Sequence, residues 1–240
     1  MITTWTGAIA EGMPEFLVTI ESWPDDHVNY PNRPLRVTVE DARSGEMILE
    51  WDDNPQITHW VNFDSFVPDM GLYLVDLNFD GYRDILWYEY IGLDDTPGFD
   101  EPRCVSYVAH LWDAEKAIFT RFSSFDMESP IVDENRQAIL SYTSGNDGEV
   151  LNYLIFKFEN NRFYQEAELI ISKNFKSAEN KYEWGFRDRR VNDGKFEVVA
   201  QFFAKSDTKE DPPVEAAEYF EPGSYWDLNN PIWNYWEQMQ

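Results

Sequence analysis

The chain has 240 residues, and 19 lysines and arginines against 45 aspartates and glutamates leave it with a net charge of −26. That balance argues against nucleic acid and against an anionic membrane surface, both of which require basic residues, and it favours cationic partners through long-range steering. Aromatic residues form 17% of the chain, which points to a packed core rather than disorder, and the lone cysteine, Cys104, permits no intrachain disulfide.

The N-terminal stretch MITTWTGAIAEGM has no basic n-region and no continuous apolar h-region. Two expectations follow: an exported protein (periplasmic, cell-surface or secreted) whose signal has been removed, or a cytoplasmic one if Met1 is the native start. No apolar run approaches the ~20 residues of a membrane span. Residues 1–34 are expected to form an extension packing on the core, although FLVTIES (16–22) within them alternates with period two. LRVTVEDA (35–42) and MILEW (47–51) flank RSGE and predict a hairpin. THWVNFDSF (58–66) alternates again. GLYLV (71–75) and ILWYEYI (85–91) enclose an acidic loop, and LDDTPGFDE (93–101) reads as a solvated acidic segment or a contact patch for a basic partner.

CVSYVAHLW (104–112) and IFTRF (118–122) flank DAEKA, a hairpin turn or one helical turn. LNYLIFKF (151–158) and RFYQEAELII (162–171) are joined by ENN, and KYEWGFRD (181–188) and KFEVVAQFFA (195–204) by NDG, the strongest short hairpin signal in the chain. PPVEAAEYF (212–220) allows one or two helical turns. The tail SYWDLNNPIWNYWEQ (224–238) carries Trp226, Trp233 and Trp236, either as apolar packing over the core or as a stacking platform for sugar rings. The fold expected from this pattern is all-β: a meander of antiparallel hairpins, propeller-like or arranged as a β-sandwich.

DLNFDGYRD (76–84) is the most informative stretch. Asp76, Asn78 and Asp80 stand at alternate positions, Gly81 permits a sharp turn, and Asp84 follows. Calcium takes six to eight oxygen ligands, and side chains at these positions, with the backbone carbonyl of Tyr82, match such a shell. The loop is not a helix–loop–helix EF-hand, because Trp87 stands where the terminal glutamate belongs and the flanks are strand-like. A metal-free turn remains the other reading, with Arg83 pairing with Asp76 or Asp80 and the Asx side chains capping their own backbone. A calcium ion here would be structural.

The loop and its flanks, VDLNFDGYRDILWYEYIG, with LRVTVEDARSGEMILEW before and YVAHLWDAEKAIFTRFSSF and LNYLIFKFENNRFYQEAELI after, resemble a bacterial exported family marked by a DxNFDGYxD loop. Its members include immunity proteins against peptidoglycan-cleaving effectors of type IV secretion systems, and it is similar to periplasmic inhibitors of invertebrate-type lysozyme. The resemblance spans 35–171, with 172–240 as a further hairpin and tail of the same domain. It implies a propeller-like all-β fold, export, and a calcium loop at Asp76, Asn78, Asp80 and Asp84. The inhibitors' S-G-x-Y loop has its nearest counterpart at Ser144, Gly145 and Asn146, but Asp147 stands in place of the tyrosine.

Catalytic motifs are lacking. His27, His59 and His110 show no zinc spacing, no nucleophile elbow or P-loop occurs, and 45 acids make any one carboxylate pair uninformative. The expected function is a non-enzymatic, calcium-associated binding protein of the cell envelope. It would act as an inhibitor or immunity protein against a cationic partner such as a peptidoglycan hydrolase. A carbohydrate-binding module and a glycosidase-like enzyme are the competing readings.

Overall fold

The structure, a computed structural model, describes residues 2–22, 35–53, 72–93, 102–122, 125, 127, 130–145, 149–176 and 181–233. The strand predicted at 58–66 and all but the first residue of the acidic segment 93–101 lie outside them. Fourteen strands among the described residues make three antiparallel sheets, each running in sequence order. No sheet closes into a barrel among the described residues. The chain divides into two compact units, Met1–Met127 and Glu128–Gln240.

The first unit holds two four-stranded meanders. One contains β1 (Ile2–Ala8), β2 (Glu15–Ser22), β3 (Leu35–Asp41) and β4 (Met47–Asp53). The other contains β5 (Leu72–Val75), β6 (Asp84–Leu93), β7 (Pro102–Asp113) and β8 (Ile118–Phe122). β1 and β2 pair directly with the strands that follow, so the sheet runs across the 34/35 boundary. Side chains alternate across a strand, so Phe16 and Val18 on β2 and Val37 and Val39 on β3 reach one face and are buried there. They share a core with Ile85, Trp112 and Phe119. Trp112 sits edge-on to both Phe16 (5.5 Å) and Phe119 (5.0 Å), the arrangement aromatic quadrupoles prefer.

The second unit is a six-stranded meander: β9 (Pro130–Asp133), β10 (Ala138–Gly145), β11 (Val150–Glu159), β12 (Arg162–Lys176), β13 (Lys181–Asn192) and β14 (Lys195–Ser206). β12 runs without a break across the 171/172 boundary. The ENN and NDG turns have paired positive φ values, at Asn160 and Asn161 and at Asp193 and Gly194, the backbone that matches strand twist in two-residue hairpins. DAEKA is a hairpin turn: Asp113 pairs with Ile118 across it, and the Asp113 carboxylate accepts the Glu115 and Lys116 N–H groups at 3.1 Å each. The segment after β14 forms a 3₁₀ helix, Val214–Tyr219, that buries Ala216 and Tyr219. Tyr219 stacks on Phe186 (5.4 Å), which stacks on Phe202 (4.9 Å).

Candidate functional site

Strand pairing brings the ends of the acidic loop together. Val75 lies opposite Asp84 and Leu74 opposite Ile85, so residues 76–83 close a short antiparallel connection. Two features fix its shape. Leu77 is fully buried and anchors the loop to the core. Gly81 has φ +91°, where glycine carries no Cβ penalty. Phe79, at φ 61°, accepts the same left-handed backbone at a cost of about 1–2 kcal/mol. Local strain of this order persists only where the surrounding bonds over-determine the backbone.

Those bonds come from the acidic side chains. Asp76 accepts the Asp80 N–H (3.2 Å) on one oxygen and the Gly81 N–H (2.9 Å) on the other. Asn78 Oδ1 accepts the Asp80 N–H (3.2 Å), and Asn78 Nδ2 donates to Asp80 Oδ2 (3.0 Å). Asp80 Oδ1 accepts the Tyr82 N–H (2.9 Å). Asp76, Asn78 and Asp80 are therefore gathered in one turn. Tyr82 leans half-buried on the first unit's core, and the Arg83 N–H donates to the Ile9 carbonyl (2.8 Å). Sequence reading missed Ile9, because its carbonyl arrives from the β1–β2 connection and no side-chain signal marks it.

Asp84 has a different place. It is fully buried, and its two oxygens accept the Leu77 and Trp112 N–H groups, each at 2.8 Å. The carboxyl thus ties the loop to β7. Burial pushes it up to about 7 against those two hydrogen bonds, and the charges of Asp80 and Asp76 add to the rise. Burial also raises Asp76 above its ordinary range, against its hydrogen bond from the Gly81 N–H, with the Asp80 charge adding to the rise. Arg83 does not relieve this concentration of charge, for it makes no ion pair with any described residue. Of the two features of the metal-free reading, the pairing of Arg83 with Asp76 or Asp80 is absent among the described residues, and the capping of the backbone by the Asx side chains is present.

The donor set is all oxygen and suits a hard cation. In the present arrangement its carboxylates face backbone N–H groups, and among the described residues no three His, Cys, Asp or Glu side chains are grouped to hold a metal. The set fits calcium in kind, and its closure round an ion would require those side chains to turn.

The other predicted residues lie elsewhere. Ser144 and Gly145 end β10 opposite Leu151 and Val150, and Asn146 lies outside the described residues, as do His27 and His59. His110 is buried in β7, and burial depresses it to about 4, so it stays neutral. In the tail, Trp226 and Trp233 are 1% and 5% exposed, and the Trp233 indole N–H donates to the Trp226 carbonyl (2.9 Å). These two rings pack inward, which removes them from any sugar-stacking platform.

No protein-family model and no curated protein matches the chain. Among solved structures the chain is similar to one described as a Xanthomonas type IV secretion system related protein, at 16% identity and a TM-score of 0.49, over 83% of this chain and 99% of that one. At that identity and score the likeness carries no functional inference. No helix among the described residues is long and apolar enough to cross a membrane.

Proposed function

We propose that the chain is a non-enzymatic binding protein of the cell envelope, an inhibitor or immunity protein that neutralises a cationic cell-wall hydrolase, with calcium stiffening its β5–β6 loop. The observation that carries this reading is the acidic turn itself. Asp76, Asn78 and Asp80 are folded together by their own backbone, with no ion pair to a basic side chain among the described residues, on a chain of net charge −26. The resemblance of DLNFDGYRD and its flanking strands to the exported family supports the same partner class. Asp76, Asn78, Asp80 and the Tyr82 carbonyl would hold the ion, and Asp84 would join them only by giving up an N–H of Leu77 or Trp112. A bound divalent cation would offset the burial and mutual repulsion that disfavour the ionised forms of Asp76 and Asp84.

Long-range attraction to a basic hydrolase would raise the association rate and would weaken with salt. The test is direct. Purified chain is mixed with lysozymes of chicken, goose and invertebrate type, and both binding and lysis of cell walls are followed at low and high salt. Salt-sensitive binding with suppressed lysis of at least one enzyme is expected. Absence of binding to all three at low salt would remove the hydrolase partner, and turnover of peptidoglycan fragments by the chain alone would overturn the non-enzymatic reading.

A further inference from the structure

The second unit contains a cavity of about 630 Å³, the size of a small-molecule site. Its walls come from four places: the β9–β10 turn (Asp133, Arg136), β11 (Lys157), β12 (Glu166) and the segment after the 3₁₀ helix (Tyr225, Asp227).

The charges on these walls are unequally matched. Arg136 pairs with Asp133 (3.2 Å) and donates to the Tyr225 carbonyl (3.1 Å), so its charge is spent within the wall. Asp227 accepts the Gly223 N–H (2.9 Å) and is nearly buried. Lys157 differs. Its ammonium donates to the carbonyl oxygens of Arg136 and Gln137, and it has no carboxylate partner among the described residues. Glu166 has one hydrogen bond, from the Tyr225 hydroxyl at 3.5 Å, and no cation partner among them. Lys157 and two carboxylates, Glu166 and Asp227, therefore line the same cavity without a counter-ion among the described residues; Asp227 is nearly buried and held by a backbone N–H, which leaves Glu166 as the carboxylate open to a ligand.

The Lys157 ammonium is held in position, and Glu166 faces a hydroxyl that is. Two carbonyl oxygens fix the Lys157 ammonium. The ring of Tyr225 lies 3.7 Å from the Arg190 guanidinium, which in turn bonds Asp188, and this holds the hydroxyl facing Glu166. Partial burial pushes that hydroxyl up to about 12, so it remains a neutral hydrogen-bonding group. Ile155 and Ile232 add apolar wall to the cavity. A ligand meeting such a site loses little further side-chain freedom on the protein side.

We propose that this cavity binds a small zwitterion, an α-amino acid or dipeptide, with its carboxylate against Lys157 and its ammonium against Glu166. Apolar ligands would leave both charges unpaired, and a ligand of single charge would satisfy only one. This site is independent of the acidic loop and of the hydrolase reading.

The test is calorimetric titration of the whole chain with dialanine, in its L,L and D,D forms, beside N-acetyl-dialanine and dialanine amide. Each blocked form loses one charge-assisted hydrogen bond and should bind about tenfold more weakly or worse. Glu166→Gln should erase the preference for the free amine while keeping the preference for the free carboxylate. Lys157→Met should do the reverse. Glu166 bonds only a hydroxyl, so its variant keeps the fold, and it decides the matter alone if Lys157→Met fails to fold. No heat up to about 10 mM dialanine, or binding that both blocked forms match, overturns the site.

Discussion

Replacing Asp84 with asparagine tests the desolvated clamp at the base of the acidic loop. Unfolded, the carboxyl titrates near its ordinary value of 3.8, and folded it titrates near 7. Between those values the folded chain keeps a proton that the unfolded chain has released, so stability falls as pH rises through that window. The contribution is whole below the unfolded value and gone above the folded one. About three pH units at about 1.4 kcal/mol each give about 4 kcal/mol, of which about 3 kcal/mol falls between pH 5 and pH 8. Asparagine does not titrate, and its amide retains one acceptor for the two N–H groups of Leu77 and Trp112. The variant is therefore expected to be the weaker protein at pH 5, with a deficit that shrinks by about 3 kcal/mol at pH 8. Urea unfolding followed by tryptophan fluorescence, in chelator and at fixed ionic strength, measures the difference. The difference between the two proteins cancels the carboxylates remote from the loop, whereas Asp76 and Asp80, which are coupled to Asp84, contribute to it. Parallel pH curves for the two would refute the desolvation of Asp84.

Four further outcomes are expected. Excess calcium should raise the melting temperature relative to chelator, by about 2.7 kcal/mol of stability when the ion is at a hundredfold its dissociation constant, and identical melts would dismiss the ion. Gly81→Ala places a Cβ on a φ of +91° and should cost about 1–2 kcal/mol in urea titration, with the calcium response weakened. Arg190→Ala strips the guanidinium from Asp188, which is 1% exposed, and should destabilise the second unit by about 3–5 kcal/mol; raised stability at neutral pH would contradict that pairing. Trp112→Ala removes the centre of the first unit's aromatic cluster and should cost about 3–5 kcal/mol, read as a lower urea midpoint.

Strands whose alternation is clean and whose turn is marked by glycine or paired asparagines were legible one by one. The hairpins closed by RSGE, ENN and NDG stand where period two placed them, because side-chain alternation and positive-φ turn residues are local properties. β1 and the β9–β10 pair escaped that reading. ITTWTGA is half polar and was expected as part of an extension, and PIVD is short and opens with proline, while its turn to AILSYTSG places Gln137 rather than glycine at positive φ.

The order of acidic residues in DLNFDGYRD determined by itself that a tight oxygen-rich turn would form between two strands, since Asx side chains and glycine shape their own backbone within a few residues. Tertiary structure alone decided that Asp84 is sealed beneath that turn by an N–H from β7, that Trp226 and Trp233 face inward, and that Lys157 and Glu166 share a cavity without touching. Burial and charge pairing depend on which distant segments arrive at a place. A one-dimensional pattern reports which residues can be buried or paired, and only the packed chain fixes what lies beside them.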